Sequence, residues 1–160
     1  MSRPLNVVVS PVRYKGKVLL IKREKEPYTG FWALIGGKVE IGEDIEKAIV
    51  REVKEETGLK VKFVAIKGVV YETLYNSKSP VDHFVLWVCE TTAKGNDIAA
   101  SEEGEIRWFS KADLAKSEDK IVPSDFAIIK AFPQGKRGKI KLHTSKMRAR
   151  GKKYVLEFFG

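Results

Sequence analysis

Residues 36–59 read GGKVEIGEDIEKAIVREVKEETGL, and this stretch carries the best-marked helix of the chain. Apolar side chains recur at helical spacing from Ile45 to Val53. Gly58 follows them as a C-terminal stop signal. The pattern predicts a helix that starts near Glu43 and ends before Gly58.

Three carboxylates share one face of this predicted helix, because Glu52, Glu55 and Glu56 stand at positions i, i+3 and i+4. Like charges at this spacing repel by a few tenths of a kcal/mol per pair, roughly, and the apolar stripe beside them leaves the face partly desolvated. A divalent cation would reverse that interaction. Oxygen ligands without His or Cys favour Mg²⁺ or Mn²⁺ over zinc, and Mg²⁺ also favours phosphate oxygens. The alternative is a solvated helix surface whose charges Arg51 and Lys54 relieve.

The residues from Gly37 onward resemble the signature of the Nudix hydrolases. That signature is Gly, five residues, Glu, seven residues, Arg-Glu, an aliphatic residue, any residue, Glu-Glu, any residue, Gly, and an aliphatic residue. Every specified position is matched over residues 37–59. One departure lies just before the motif, since Ile35 stands where family members often have proline. It concerns the stiffness of the loop more than its chemistry.

The resemblance implies a fold and an activity. The fold is an α/β/α sandwich with a mixed sheet over residues 1–133. The activity is Mg²⁺-dependent hydrolysis of a diphosphate linkage in a nucleoside diphosphate derivative of the NTP, dinucleoside polyphosphate or ADP-ribose type. Homodimers are common in the family, so the resemblance allows a homodimer, but the sequence does not decide the oligomeric state. Two alternatives stay open, an RNA 5′-end pyrophosphohydrolase and a non-catalytic module that binds nucleotides or nucleic acid.

The resemblance also implies roles for individual residues. The implied metal ligands are Glu52, Glu55, Glu56 and the carbonyl group of Gly36. Arg51 and Glu43 would orient these ligands. The general base is open between Glu52 and a glutamate of a later loop, and Glu103 is our choice there over Glu102 and Glu105. Substrate contacts are expected from Gly37, Glu40, Trp32 and Tyr75.

Tyr75 also bears on the choice of substrate. It stands sixteen residues past Leu59, where relatives that cleave dinucleoside polyphosphates tend to carry Tyr. Position 74 is Leu, whereas relatives that cleave ADP-ribose tend to carry Pro there. This pattern mildly favours a polyphosphate substrate.

The rest of the chain predicts strands and one more long helix. Segments 5–12 and 17–23 are rich in β-branched residues and predict a hairpin, and segments 60–75 and 81–92 predict two long strands. Ser124 is a candidate N-cap for a helix over 124–132. Two further alternating segments predict a C-terminal β-hairpin in an extension over 134–160 that packs on the same domain.

The positive charge of the chain is concentrated near its C-terminus. The net charge is +9, and residues 130–160 carry ten Lys and Arg against one acid, Glu157. Such a segment attracts phosphate, so it predicts either RNA binding or the steering of an anionic substrate. The alternative is a solvated edge hairpin, where lysines discourage strand aggregation.

Length and composition limit the class of protein. The 160 residues suit one domain with a core, and no apolar run approaches the ~20 residues of a membrane span. The N-terminus has no secretory leader pattern. The single Cys89 excludes an intramolecular disulfide and suits a reducing compartment. We therefore expect a cytoplasmic protein without a membrane partner.

Overall fold

The computed structural model describes residues 3–99, 101–135 and 138–160. Over these residues the chain forms nine strands, three α-helices and a short 3₁₀ helix, Glu118–Lys120. The strands are β1 Leu5–Ser10, β2 Arg13–Tyr14, β3 Lys17–Lys22, β4 Trp32–Lys38, β5 Val61–Tyr75, β6 Pro80–Ala93, β7 Ile106–Phe109, β8 Lys141–Arg150 and β9 Lys153–Phe159. The helices are α1 Ile45–Thr57, α2 Lys111–Lys116 and α3 Pro123–Ala131.

The strands form one mixed sheet in the order β2, β3, β4, β1, β6, β5, β8, β9, and β7 pairs with β3. Strand β1 is parallel to β6, and β5 is parallel to β8. The remaining pairs are antiparallel. Strand β4 pairs with β3 through its first residues and with β1 through its last ones. Its second half therefore leaves β3 just before the two glycines.

Helix α1 covers one face of the sheet. Asp44 caps its N-terminus by accepting a hydrogen bond from the Lys47 N–H at 2.8 Å. Gly58 ends it in the left-handed conformation (φ 76°) that favours glycine, which confirms the predicted stop. Ile49 and Val53 are fully buried against strand residues such as Val8 and Ile35. The helix begins at residue 45, two residues later than the sequence predicts.

Helix α3 covers the opposite face. Ile128, near its end, and Phe132, just beyond it, are buried in a second core with Val9, Val70 and Val88. The sheet therefore lies between two helical layers, as in the predicted α/β/α sandwich. Among the described helices, none is long and apolar enough to cross a bilayer.

Two details of the prediction are wrong. Ser124 is not the N-cap of α3, because Pro123 occupies the first turn and the helix starts one residue earlier, after Val122. The predicted hairpin of 5–12 with 17–23 forms only next to its turn, where β2 pairs with β3 and the Leu19 N–H donates to the Val12 carbonyl at 2.9 Å. Strand β1 pairs with β4 and β6 instead, and β3 pairs with β2, β4 and β7. Local strand propensity does not specify a partner.

The two long strands β5 and β6 and the C-terminal hairpin β8–β9 are confirmed. The hairpin is built into the domain sheet, because β8 pairs with β5 along Gly68–Tyr75. Met147 of β8 is fully buried with Tyr28 and Leu74. Lys136 and Arg137 of the basic extension lie outside the described residues. The division of the chain at residue 133 stays a prediction.

Candidate active site

Three carboxylates meet beside the end of β4. Glu52 and Glu56 come from α1, and Glu103 comes from the segment between β6 and β7. One carboxylate oxygen from each lies within 4.8 Å of the other two. We call these three residues the carboxylate cluster.

Glu56 is the most buried member of the carboxylate cluster, with 5% of its surface exposed. Its Oε1 accepts a hydrogen bond from the Gly36 N–H at 3.0 Å. That N–H is free to reach the helix because β4 has already separated from β3 before Gly36. Burial raises the pKa of Glu56 to about 8, and the charges of Glu52 and Glu103 add to this effect.

Glu52 is fixed between a cation and a glycine. Arg51 Nη1 donates to Glu52 Oε1 at 2.7 Å. On the other side, a Cβ atom at Gly37 would lie 2.4 Å from the Glu52 carboxyl carbon, so only glycine leaves room there. Burial raises the pKa of Glu52, while Arg51 opposes that shift.

Arg51 connects several groups of the site by donating hydrogen bonds to them. Its Nε and Nη2 donate to the two oxygens of Glu43 at 2.7 and 3.0 Å, which is a bidentate pair. Nη2 also donates to the Lys38 carbonyl at 3.1 Å, and Nη1 to Glu55 Oε2 at 3.2 Å. Hydrogen bonds from Arg51 and from the Glu40 N–H lower the pKa of Glu43 to about 2.

Two further acids predicted for the site lie at its edge. Glu55 is half exposed and rests on Arg51 rather than in the carboxylate cluster. The Glu40 carboxylate is largely exposed and lies 3.8 Å from Arg51 Nη1. Gly36 contributes its N–H to Glu56, which is a different contact from the predicted carbonyl ligand.

The carboxylate cluster fits a hard divalent cation. Its donors are all carboxylate oxygens, and two of the three residues are largely buried. Burial without a countercharge disfavours ionisation, as the raised pKa values of Glu52 and Glu56 express. An oxygen donor set of this kind suits Mg²⁺ or Mn²⁺.

A cavity of about 620 Å³ reaches the carboxylate cluster through Gly36 and Gly37, which lie against Glu56 and Glu52, although none of the three cluster residues lines it. Gly36, Gly37 and Lys38 line it on the side of the carboxylate cluster. Strand residues form apolar walls, and polar groups line the rest of the cavity. The apolar lining includes Leu5, Val7, Val9, Leu34, Leu74, Phe84 and Leu86. The polar lining includes Arg23, Glu26, Tyr28, Glu72, Asp82, Asp125 and Tyr154.

Two predicted substrate contacts lie away from this cavity. Trp32 is 7% exposed and packs edge-on against Phe109 in the core. The Tyr75 ring lies on the other face of the sheet from Leu74, which lines the cavity. Lys146 Nζ and Arg148 Cζ lie 5.1 and 5.4 Å from the centroid of that ring. Of the four predicted substrate contacts, only Gly37 lines the cavity. Gly36, a predicted metal ligand, lines it as well.

Two buried acids of the cavity are absent from the sequence prediction. Glu72 is 2% exposed and Asp125 is 8% exposed. Tyr28 Oη and Ser145 Oγ donate to Glu72, each at 3.1 Å, and the Leu34 N–H donates to Asp125 Oδ2 at 2.9 Å. Burial raises the pKa of Glu72 and raises that of Asp125 to about 7.

The Ser124 hydroxyl lies close enough to Glu72 to lower its pKa, yet it is outside hydrogen-bond geometry and has no partner among the described residues.

Cys89 is buried, and burial raises the pKa of its thiol to about 12, so it is no nucleophile at neutral pH.

A signal for Glu72 exists in the sequence. It is an isolated acid at an alternating position between Val70 and Leu74 in an apolar strand, and both neighbours are buried. Arg23, which also lines the cavity, has no such signal. Its charge opposes the raised pKa values of both Glu56 and Asp125, so it acts electrostatically on the carboxylate cluster and on the buried acids.

Comparisons with known proteins show which family this chain resembles. A family model described as the NUDIX domain matches residues 2–132. An ADP-ribose pyrophosphatase from Methanocaldococcus jannaschii is 37% identical over 125 residues, which is 74% of this chain and 71% of the relative. A putative nudix hydrolase 1 from Caenorhabditis elegans is 50% identical over 113 residues, 69% of this chain but 29% of the relative.

Solved structures share the fold over nearly the whole chain. The MutT protein from Bacillus halodurans is 25% identical, with a TM-score of 0.71 over 98% of this chain and 96% of the other. A NUDIX hydrolase from Nitrosomonas europaea is 21% identical, with a TM-score of 0.68 over 93% of this chain and 81% of the other.

Proposed function

The chain belongs to the Nudix family and is a pyrophosphohydrolase of nucleoside diphosphate derivatives, and we propose that it uses Mg²⁺ held by the carboxylate cluster. The observation that carries this proposal is the convergence of Glu52, Glu56 and Glu103 within 4.8 Å beside the substrate-sized cavity. Mn²⁺ is expected to substitute, because it accepts the same oxygen ligands.

Each residue of the site has a proposed task. Glu52 and Glu56 hold the cation, and half-exposed Glu55 completes the ligand set from the solvent side. Arg51 keeps Glu52 in one rotamer, and Glu43 fixes Arg51 through the bidentate pair. When bound, Mg²⁺ supplies positive charge that offsets the charge of the diphosphate oxygens.

Glu103 is our candidate for the general base. It is the exposed member of the carboxylate cluster, so a water molecule can reach it from solvent. Its neighbours Glu102 and Glu105 are also exposed, but neither belongs to the cluster among the described residues. Glu103 would take a proton from water as the oxygen attacks phosphorus, while the bond from that phosphorus to the bridging oxygen of the diphosphate breaks and the other phosphate-bearing product leaves. Glu52 is the second choice, although its hydrogen bond from Arg51 makes it a weaker base.

The cavity supports a nucleoside-type substrate. A volume of about 620 Å³ lined by both apolar strand residues and polar side chains suits a small organic ligand. The Methanocaldococcus relative is named for ADP-ribose, and nucleoside triphosphatases are also among the relatives. Tyr75, the residue that favoured dinucleoside polyphosphates, lies on the other face of the sheet, so it does not support that choice.

A substrate panel tests the proposal. Purified protein with Mg²⁺ is incubated with NTPs, oxidised dNTPs, dinucleoside polyphosphates, ADP-ribose, nucleotide sugars and 5′-triphosphorylated RNA, and the products are identified. We expect cleavage of at least one diphosphate bond that stops when EDTA removes the cation and resumes when Mg²⁺ is added. Cleavage that persists in EDTA would contradict the proposed Mg²⁺ site.

The remaining expectations stay predictions. RNA binding stays a prediction from the charge of the C-terminal segment, in which Lys146 and Arg148 pair with Glu157. RNA in the panel tests it directly. A homodimer is allowed by the family resemblance, and a cytoplasmic location is likewise predicted from the single cysteine.

A further inference from the structure

The C-terminal hairpin forms part of the cavity wall, although the NUDIX model ends at residue 132. Side chains alternate along β8, so Ser145 and Met147 are buried on the cavity side of the sheet while Lys146 and Arg148 point to the other face. Ala149 of β8 and Tyr154 of β9 line the cavity itself.

Tyr154 connects the hairpin to the segment between β3 and β4. Its Oη accepts a hydrogen bond from the Tyr28 N–H and donates one to Glu26 Oε2, both at 3.3 Å. Its ring packs edge-on against Tyr28 and Phe31, with centroids 4.7 and 5.5 Å apart. These contacts hold Tyr28 in place.

Glu72 is held from two sides as a result. Tyr28 Oη donates to one of its oxygens, and Ser145 Oγ of the hairpin donates to the other. The Ser124 hydroxyl also lies near Glu72, but a carboxylate has about four acceptor sites, so these groups leave part of its acceptor capacity unused. Glu72 lines the cavity, so that remaining capacity is available to a ligand.

The side chains that line this part of the cavity favour one chemical class of ligand. Glu72 and the nearby Asp125 are both acids, and acids in an apolar cavity oppose the entry of a phosphate group. They accept hydrogen bonds from N–H groups, and the apolar strand residues accept a flat ring. An uncharged heteroaromatic ring with an amino group meets both conditions. Adenine, guanine and cytosine carry such a group, and uracil does not.

We propose that the hairpin β8–β9 makes this cavity a base-recognition site, in which Glu72, positioned by Ser145 and Tyr154, binds the amino group of a nucleobase. This proposal rests on the proposed function only in placing the diphosphate at the carboxylate cluster. Glu72 is the specificity-determining residue. Ser145 and Tyr154 are positioning residues, since they act through Glu72 and Tyr28.

The test measures binding rather than turnover, so it does not depend on the proposed hydrolysis. Isothermal titration calorimetry with Mg²⁺ present compares AMP, GMP, CMP and UMP with ribose 5-phosphate, which lacks a base. The proteins are the full-length wild type, E72Q, S145A and Y154F. The control is Y71F, which removes a hydroxyl group from an exposed tyrosine on the other face of the sheet. Circular dichroism checks that each variant is folded.

We expect the wild type to bind at least one amino-bearing nucleotide more than 10-fold tighter than both UMP and ribose 5-phosphate. E72Q replaces one acceptor oxygen of Glu72 with an NH₂ donor, so it should weaken binding of that nucleotide by about 10-fold and bring it close to ribose 5-phosphate. S145A and Y154F should reduce the preference in the same direction, and Y71F should keep it.

Two results would overturn the base-recognition site: a wild type that binds UMP or ribose 5-phosphate as tightly as the other nucleotides, or folded E72Q, S145A and Y154F variants that all keep the wild-type preference. The proposed Mg²⁺ function fails by a different result, since it requires Mg²⁺-dependent cleavage in the substrate panel whatever the nucleotide preference is.

Discussion

Gly37 and Glu52 stand so close that a Cβ atom at residue 37 would lie 2.4 Å from the Glu52 carboxyl carbon. The clash involves the end of a side chain rather than the backbone, so it would displace the carboxylate and leave the fold intact. G37A should therefore lower kcat/KM by about 10- to 100-fold, as for other groups that orient metal ligands. Its Tm should stay within a few degrees of the wild type.

The control for G37A is G95A, because a Cβ atom at Gly95 meets nothing within 4 Å. Steady-state kinetics and thermal unfolding of both variants show whether G37A loses kcat/KM while it keeps its Tm. Normal activity in G37A would show that the position of Glu52 is not critical.

Arg51 is expected to act through its fork geometry rather than through its charge. It donates to both oxygens of Glu43 and to Glu52 at once, and lysine cannot reproduce that pattern. R51K should therefore lose about 10- to 100-fold in kcat/KM, with R51A losing at least as much. K47A, an exposed cation on the same helix, is the control. Activity near that of the wild type in R51K would mean that charge alone suffices.

Glu103 and Glu102 offer a neighbouring pair for testing the general base. Both are exposed, but only Glu103 contributes an oxygen to the carboxylate cluster among the described residues. E103Q should lower kcat by about 100-fold or more, since general-base catalysis contributes 10²- to 10⁴-fold, while E102Q should remain active. Equal activity of the two variants would return the role of base to Glu52.

The sequence was sufficient for the elements whose signals are local. The helix over Ile45–Thr57 follows from apolar spacing and from Gly58, and the hairpin β8–β9 follows from alternation around a turn. The partners of β1 were not predictable in this way. It pairs with β4 and β6, and such a choice depends on packing between distant segments.

The site shows the same division between local and distant signals. Motif spacing predicted Glu52 and Glu56, but the choice of Glu103 over its neighbours had no physical reason in the sequence, because it depends on where the loop lies relative to α1. Glu72 and Asp125 belong to no motif and come from different elements, β5 and α3. The fold alone brings them to one cavity.

Asp125 should make stability depend on pH. Burial and the charge of Glu72 raise its pKa to about 7, against about 3.9 in an unfolded chain, while Arg23 opposes the shift. Because the folded pKa is the higher one, the stabilising contribution is complete below about pH 4 and is lost as the pH rises through 7. The loss is at most about 4 kcal/mol.

The variant D125N keeps an oxygen acceptor for the Leu34 N–H but does not titrate. The Tm of the wild type should therefore fall relative to that of D125N between pH 4 and pH 8. D119N, which changes an exposed acid, is the control and should show no such trend. A constant difference between wild type and D125N across this range would contradict the raised pKa.

The central claim is that Glu52 and Glu56 bind a divalent cation at the carboxylate cluster, and direct titration with Mn²⁺ tests it most closely. Electron paramagnetic resonance measures free Mn²⁺ in the presence of wild type, E56Q, and the control E46Q, whose altered residue is exposed on the first turn of the same helix. We predict that E56Q binds Mn²⁺ at least 10-fold more weakly than the wild type and that E46Q binds it normally. Equal Mn²⁺ affinity in all three proteins would contradict the claim.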